Sequence, residues 1–157
     1  AFDGGAGFDV VRNTRDGRDI WLTDASFDGI EEIDGAGADI RVGRDGRLDL
    51  TGVTLSNVGA LVGDRGGETI LGTAGADRLV GGRGGDLMRG AGGDDVFELR
   101  SGEGAGDAFD GGAGFDVVRN TRDGRDIWLT DASFDGIEEI DGAGADIRVG
   151  RDGRLDL

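Results

Sequence analysis

Residues 72–98 read as three nine-residue units laid end to end: Gly72-Thr-Ala-Gly-Ala-Asp-Arg-Leu-Val80, Gly81-Gly-Arg-Gly-Gly-Asp-Leu-Met-Arg89 and Gly90-Ala-Gly-Gly-Asp-Asp-Val-Phe-Glu98. Each has Gly at positions 1 and 4, Asp at position 6 and a large apolar residue at position 8. Glycine takes positive φ without steric cost and lets another backbone come close, so Gly75, Gly84 and Gly93 suit tight turns. Asp77, Asp86 and Asp95 stand at the turn exits. Leu79, Met88 and Phe97 follow two positions later, where a short strand turns its central side chain to one face. Strands this short are stable only if the units wind into a coil and successive coils pair as parallel strands.

Two units per coil place positions 18 apart above one another, about 4.7–4.9 Å away along the hydrogen-bonding direction. Asp77 and Asp95 then become neighbours, and bare carboxylates at that distance repel. A calcium ion takes oxygen ligands at roughly 2.3–2.6 Å, so one ion between coils reaches both carboxylates and the turn carbonyls. The acidic ladder is therefore expected to hold Ca2+.

The pattern Gly-Gly-x-Gly-x-Asp-x-apolar-x resembles the repeats-in-toxin (RTX) nonapeptide, a calcium-binding repeat. Gly4-Gly-Ala-Gly-Phe-Asp-Val-Val-Arg12 and Gly111-Gly-Ala-Gly-Phe-Asp-Val-Val-Arg119 match it at every specified position. The resemblance implies an all-β fold, a parallel right-handed β-solenoid (calcium β-roll) of roughly 18 residues per coil that folds on calcium after secretion. Carried onto the matching positions, it implies metal ligation by Asp9, Asp77, Asp86, Asp95, Asp107 and Asp116. Backbone carbonyls of the turns complete the sites, around Gly72, Ala74, Gly75, Gly81, Arg83, Gly84, Gly90, Gly92, Gly93, Gly111, Ala113 and Gly114. Glu68, Asp19 and Asp28 hold position 6 in degraded units and are the doubtful ligands, Glu68 being one methylene too long. Counting along the chain stacks Asp77 over Asp95 and Asp95 over Asp116 on one edge, and Asp86 over Asp107 on the other.

Outward from this stretch, segment 1–50 recurs letter for letter as 108–157, a tandem repeat of period 107. The expected organisation is one continuous solenoid over 1–157. Its first copy is 1–107, and the second starts at 108–157. Residues 63–119 are strict calcium repeats, and 13–62 and 120–157 are degenerate solenoid. A uniform coil of two units makes the period close to six coils, roughly 29 Å of axial rise.

Within the degenerate part, Thr14–Leu22 and Thr23–Glu31 have lost most of their glycines. Ile40 and Val42, then Leu48 and Leu50, alternate as longer strands would, with a turn at 43–46. Trp21 can face inward at position 8, or Ile20 and Leu22 can, leaving it exposed; core packing is the favoured expectation for so large an aromatic. The phase returns at Thr54–Val62 and Gly63–Leu71, with Leu61 and Ile70 at position 8. An insertion, Leu99-Arg100-Ser101, precedes a weaker unit, Gly102–Asp110, with Ala105 where Gly belongs but Asp107 and Phe109 in place.

Composition narrows the function. The formal charge is −16 and the pI near 4.2, so cations are the expected partners and neither nucleic acid nor an anionic membrane surface is. Gly is 35 of 157 residues, but its phasing with apolar residues argues against a disordered linker. There is no His, Cys or Lys, which excludes His-dependent triads, thiol nucleophiles and lysine chemistry. Glu31 and Glu32 are adjacent and point to opposite strand faces, so they make no glycosidase pair. No catalytic residue is expected, and the Arg residues are expected on solvated faces where they moderate the Asp charge. With no group titrating near neutrality, calcium should matter more than pH.

No apolar run approaches the roughly 20 residues of a membrane span. The chain begins at Ala1 and is read as part of a longer array. The functional expectation is a structural calcium-binding segment of a secreted or cell-surface bacterial protein, a stalk, fibre, filament, matrix or surface-layer element. Open coil edges favour end-to-end or lateral self-association. The alternative is a calcium-triggered folding and export module of a type I secreted enzyme or toxin whose activity lies elsewhere. Ice or glycan binding would need a regular ladder, which Thr51, Thr54, Thr69 and Thr73 do not make.

Overall fold

The computed structural model describes residues 1–15, 17–43, 46–100, 106–121, 125–129 and 134–149. Short apolar alternations between Gly-rich corners produce short strands. The first are β1 (Phe2–Asp3), β2 (Val10–Arg12), β3 (Ile20–Leu22), β4 (Phe27–Asp28), β5 (Glu32–Asp34), β6 (Ile40–Val42) and β7 (Arg47–Asp49). Then come β8 (Thr54–Ser56), β9 (Leu61–Val62), β10 (Thr69–Leu71), β11 (Arg78–Val80), β12 (Leu87–Gly92) and β13 (Val96–Leu99). The last are β14 (Ala108–Ala113), β15 (Val117–Asn120), β16 (Ile127–Leu129), β17 (Phe134–Asp135), β18 (Glu139–Asp141) and β19 (Ile147–Val149). Every pairing between them is parallel, and the fold is an all-β parallel solenoid of about six turns.

The longest sheet has seven strands in the order β18-β15-β13-β11-β9-β6-β3, and a five-stranded sheet runs β17-β14-β12-β10-β7. A three-stranded sheet, β2-β5-β8, and two pairs, β1-β4 and β16-β19, complete the stacks. Ile20 lies against Ile40, then Leu61, Leu79, Phe97 and Val118, in sequence steps of 20, 21, 18, 18 and 21. The expected step of 18 therefore holds between Leu61 and Phe97, and elsewhere the coils are about 21 residues apart. The expected six coils per period become about five, or roughly 24 Å at the parallel strand spacing.

Coil length follows strand number. Residues 32–49 place β5, β6 and β7 on three stacks, and 54–71 do the same with β8, β9 and β10. Residues 78–92 place only β11 and β12. A third strand and its corner lengthen the coil, and only the Gly-rich units close it with two. The insertion after Glu98 has the expected effect, since Val96 registers with Val117, whereas Leu79 registers with Phe97 at the shorter step. Because the two-strand coils drop one face, the third stack ends at β8, while β15 and β18 join the seven-stranded sheet. These two strands repeat the sequences of β2 and β5, so identical segments lie in different sheets according to what precedes them.

The position-8 residues form the core: Leu61, Ile70, Leu79, Met88, Phe97, Phe109 and Val118 are buried. The Phe97 and Phe109 rings meet edge to face at 5.6 Å, a favoured geometry for aromatic pairs. Trp21 departs from the core expectation. It is 61 % exposed and its repeat counterpart Trp128 is 50 % exposed, while Leu22 and Leu129 are buried. In a strand of period two, facing Ile20 and Leu22 inward buries two aliphatic side chains at the cost of one indole. Trp128 instead lies 6.0 Å from the Arg148 guanidinium.

Outside the core, arginines pair with acids one coil on: Arg12 with Asp34 at 3.1 Å, Arg89 with Asp110 at 3.2 Å and Arg119 with Asp141 at 3.2 Å. Such exposed pairs are screened by water, add little to stability and chiefly offset the like charge of the acids. In the 43–46 turn the Gly46 N–H donates to the Gly43 carbonyl at 2.9 Å; Arg44 and Asp45 lie outside the described residues, as do Ser101 and the start of the weak unit, 102–105.

Corners stack so closely that some admit only glycine. Gly93 has φ +94°, and a Cβ there would lie 2.5 Å from Gly75 C and 2.6 Å from Ala76 N. Gly93→Ala is therefore expected to destabilise the fold by about 1–3 kcal/mol through backbone strain, before any clash is relieved. Thermal unfolding in calcium should show the drop, whereas Gly37→Ala, with open space at its Cβ, isolates the strain alone.

Candidate metal site: two columns of buried carboxylates

The turn exits stack into two columns. In one, the Asp77 N–H donates to Asp95 Oδ1 at 2.7 Å, the Asp95 N–H to Asp116 Oδ1 at 2.8 Å and the Asp116 N–H to Glu138 Oε2 at 2.8 Å. In the other, the Glu68 N–H donates to Asp86 Oδ1 at 2.8 Å and the Asp86 N–H to Asp107 Oδ1 at 3.0 Å. Asp77, Asp86, Asp95, Asp107 and Asp116 are all buried. The structure thus brings together each pair that counting along the chain stacks.

In Asp86, Asp95, Asp107 and Asp116 one oxygen ties its coil to the one before. The other has a different fate. The Thr73 N–H donates to Asp77 Oδ2 at 2.6 Å, but Oδ2 of Asp9, Asp86, Asp95 and Asp116 is buried with no hydrogen-bond partner. A buried carboxylate oxygen without a donor is costly. Burial accordingly pushes Asp86 and Asp95 up to about 7, with the neighbouring carboxylates Asp107, Glu68, Asp77 and Asp116 adding to the rise. Asp77 and Asp116 are raised for the same first reason. The expectation that nothing titrates near neutrality is corrected here, because stacking of the coils takes these carboxylates out of water.

The unpartnered oxygens test the fit of a cation. They are hard donors, at the same height as the position-1 glycines: a Cβ at Gly81 would lie 2.6 Å from Asp86 Oδ2, and one at Gly90, which also faces Asp95 Oδ2, 2.7 Å from the Gly111 carbonyl oxygen. Carboxylate and carbonyl oxygens therefore crowd both edges of the coil, as a calcium donor set requires. Among the described residues no three acidic side chains converge into a cage, so main-chain oxygens must supply the rest.

The candidate carbonyls differ from one another. Turns at 74–75 and 83–84 stay outside the strands. By contrast, β12 runs on to Gly92 and β14 to Ala113, with Ala91 paired to Gly112 and the Ala113 carbonyl accepting the Gly93 N–H at 2.9 Å. Gly90, Gly92, Gly111 and Ala113 thus belong to a ladder that continues around the corner, and not to an open turn as expected.

Of the doubtful ligands, Glu68 is buried and folds back on its own turn, accepting the Gly66 N–H at 3.1 Å and the Asp64 N–H at 3.3 Å. Asp19 pairs with Arg41, and Asp28 is an exposed residue of β4; neither enters a column. Two acids were missed in the sequence, Glu138, which extends the first column, and Glu31, which lies against Asp9 outside both columns. Glu31 accepts the Asp9 N–H at 2.8 Å, and Glu138 does the same for Asp116. The signal was a sequence interval of 22, which a search at 18 passes over.

Residues 62–97 match the RTX calcium-binding nonapeptide repeat in four copies, so this segment is of that repeat family. No curated protein and no solved structure matches the chain. Calcium is the cation this family binds, and the columns offer it oxygen donors. Among the described residues no helix is long and apolar enough to cross a membrane.

Proposed function

We propose that this chain is a calcium-stiffened structural segment of a secreted or cell-surface bacterial protein, serving as a stalk, filament, matrix or adhesin element. Its ligands are Asp9, Asp77, Asp86, Asp95, Asp107 and Asp116 with the neighbouring turn carbonyls. The observation that carries this reading is the row of buried, unpartnered Oδ2 atoms on Asp86, Asp95 and Asp116 at the exits of the repeat turns. A bound Ca2+ supplies the positive charge these oxygens lack; the chain's own residues position them, Asp Oδ1 through the coil-to-coil N–H and glycine by leaving room.

Residues 1–157 act as one solenoid with a tandem period of 107, calcium-rich over 63–119 and calcium-poor elsewhere. Right-handed coiling is supported by the strong chiral preference of parallel crossovers. No reaction is assigned to the segment, since its buried acids serve main-chain and metal contacts. Letter-perfect recurrence of segment 1–50 as 108–157 favours a structural array over an export module.

Far-UV circular dichroism with size-exclusion chromatography tests the reading. A β spectrum and compact elution are expected in calcium and should disappear with chelator, because binding to the folded state alone couples metal to folding. A chain equally folded in chelator would refute it.

A further inference from the structure

Strand β16 opens a new stack within the chain: β14 and β15 before it join the five- and seven-stranded sheets, whereas β16 begins a separate pair with β19. Period two sends Ile127 and Leu129 into the core, so Asp126 and Trp128 face outward, as do Asp146 and Arg148 on the next coil. Register sets Trp128 beside Arg148. The Arg148 guanidinium lies 6.0 Å from the indole centroid, within cation–π range. Its Nε pairs with Asp126 Oδ2 and its Nη2 with Asp146 Oδ2 at 3.4 Å. Two carboxylates thus pin one cation next to an indole that stays 50 % exposed. Coils β14–β15 precede Trp128 and β17–β19 follow it, so this exposure belongs to the interior of the chain. Strands β3 and β6 carry the same set as Asp19, Trp21, Asp39 and Arg41, with Trp21 in register with Arg41 and Arg41 paired to Asp19.

We propose that each of these outward faces binds one neutral pyranose ring of a glycan, with the indole as its platform. The inference deepens the adhesin reading above by naming a ligand class, and it rests on the solenoid that sets these strands in register. A hexose with equatorial hydroxyls presents faces of weakly positive C–H bonds, which stack on the negative face of an indole. Its rim of hydroxyls then needs acceptors and donors beside the ring. Asp126 and Asp146 accept, and the guanidinium N–H groups of Arg148 that the carboxylates leave over donate.

Charge and size select this ligand. One cation with two anions leaves the face negative, on a chain of formal charge −16, so sulfated glycans, nucleic acid and anionic headgroups are repelled. A standard protein interface buries about 800 Å² per partner around an apolar centre. Here a single indole stands among charged side chains, and its strand neighbours Ile127 and Leu129 are buried. That is an area for one sugar ring. Each occurrence of the segment supplies one such platform, in place of the continuous ladder that an extended binding face needs.

The test titrates cellohexaose, an unbranched neutral β-glucan, into the full chain in calcium. The chain's two tryptophans are Trp21 and Trp128, so intrinsic fluorescence reports the sites directly and calorimetry counts them. Saturable binding at both sites is expected, with one site lost in Trp128→Ala and none left when Trp21→Ala is added. Arg148→Gln should weaken its own site about tenfold by removing a charged hydrogen bond. Both indoles are at least half exposed, so the fold tolerates their removal. Trp128→Phe keeps a smaller platform and should bind between wild type and alanine. No saturable signal with cellohexaose, or binding that survives the double alanine variant, overturns the proposal. So does tryptophan-dependent binding of dextran sulfate in its place, or tryptophan-dependent dimerisation in ultracentrifugation. Circular dichroism of the same samples reports calcium-dependent folding, so a folded chain that binds no sugar refutes the sugar site and leaves the calcium reading standing.

Discussion

Asp95→Ala is expected to cost the chain more calcium than Asp107→Ala, about two ions against about one. Asp95 stands in mid-column, its Oδ1 accepting from Asp77 and its own N–H donating to Asp116, so its carboxylate borders two inter-coil positions. Truncation also leaves the buried Asp77 N–H without its acceptor, a loss of about 1–3 kcal/mol even before metal is considered. Asp95→Asn separates the two effects. The amide oxygen can keep the coil-to-coil hydrogen bond, while the charge that binds calcium is gone. Calorimetric titration gives the ion count and chemical denaturation the stability. Equal calcium loss in Asp95→Ala and Asp107→Ala would reject the shared site.

Acidification is expected to fold the metal-free chain. Asp86 and Asp95, held up to about 7 by burial, have ordinary carboxylate values near 4 when unfolded. The folded state therefore binds more protons between those limits. Its stability from these groups is fully present below the unfolded value and is lost as pH rises through about 7. Calcium acts in the opposite sense, since it binds the ionised form and displaces the proton. Metal-free protein should gain β structure as pH falls from 8 to 5, calcium affinity should fall over the same range, and calcium binding near pH 7 should release protons. The double variant Asp86→Asn with Asp95→Asn should mimic acid and fold at pH 8 without calcium. Circular dichroism of dialysed samples checks the first and last of these, and titration calorimetry in buffers of different ionisation enthalpy checks proton release. A metal-free chain whose spectrum is flat from pH 8 to 5, with the double variant unfolded, would show that desolvation does not control these carboxylates.

The two columns reveal how far sequence carried. In 61–97 every local preference agrees: glycine at the corners, an acid at the exit and an apolar residue two positions on, so a constant interval of 18 pairs Leu61 with Leu79 and Leu79 with Phe97. Even the longer interval of 21 after Glu98 was countable, because the intrusion is local and the phase resumes at Asp107. The acids Asp77, Asp86, Asp95, Asp107 and Asp116 were all legible as column members for that reason.

Where glycine is lost, local pattern no longer decides. Alternating residues such as Ile20-Trp21-Leu22 satisfy either facing, and only packing against Ile40 and Val42 selected the one that leaves Trp21 in water. Glu138 entered the first column, and Glu31 met Asp9, because three-strand coils lengthen the interval to 22. Coil length depends on how many faces a turn must cross, which is a property of the neighbouring coils. The sharpest case is the repeat itself: β2 and β15 share a sequence, yet one begins a three-stranded sheet and the other continues the seven-stranded one. Sequence alone determined the parallel β-solenoid, its strict repeat and the acids at its turns. Tertiary structure decided coil length, the facing of the tryptophans and the burial that raises the Asp carboxylates, because each depends on the coil that lies next to it.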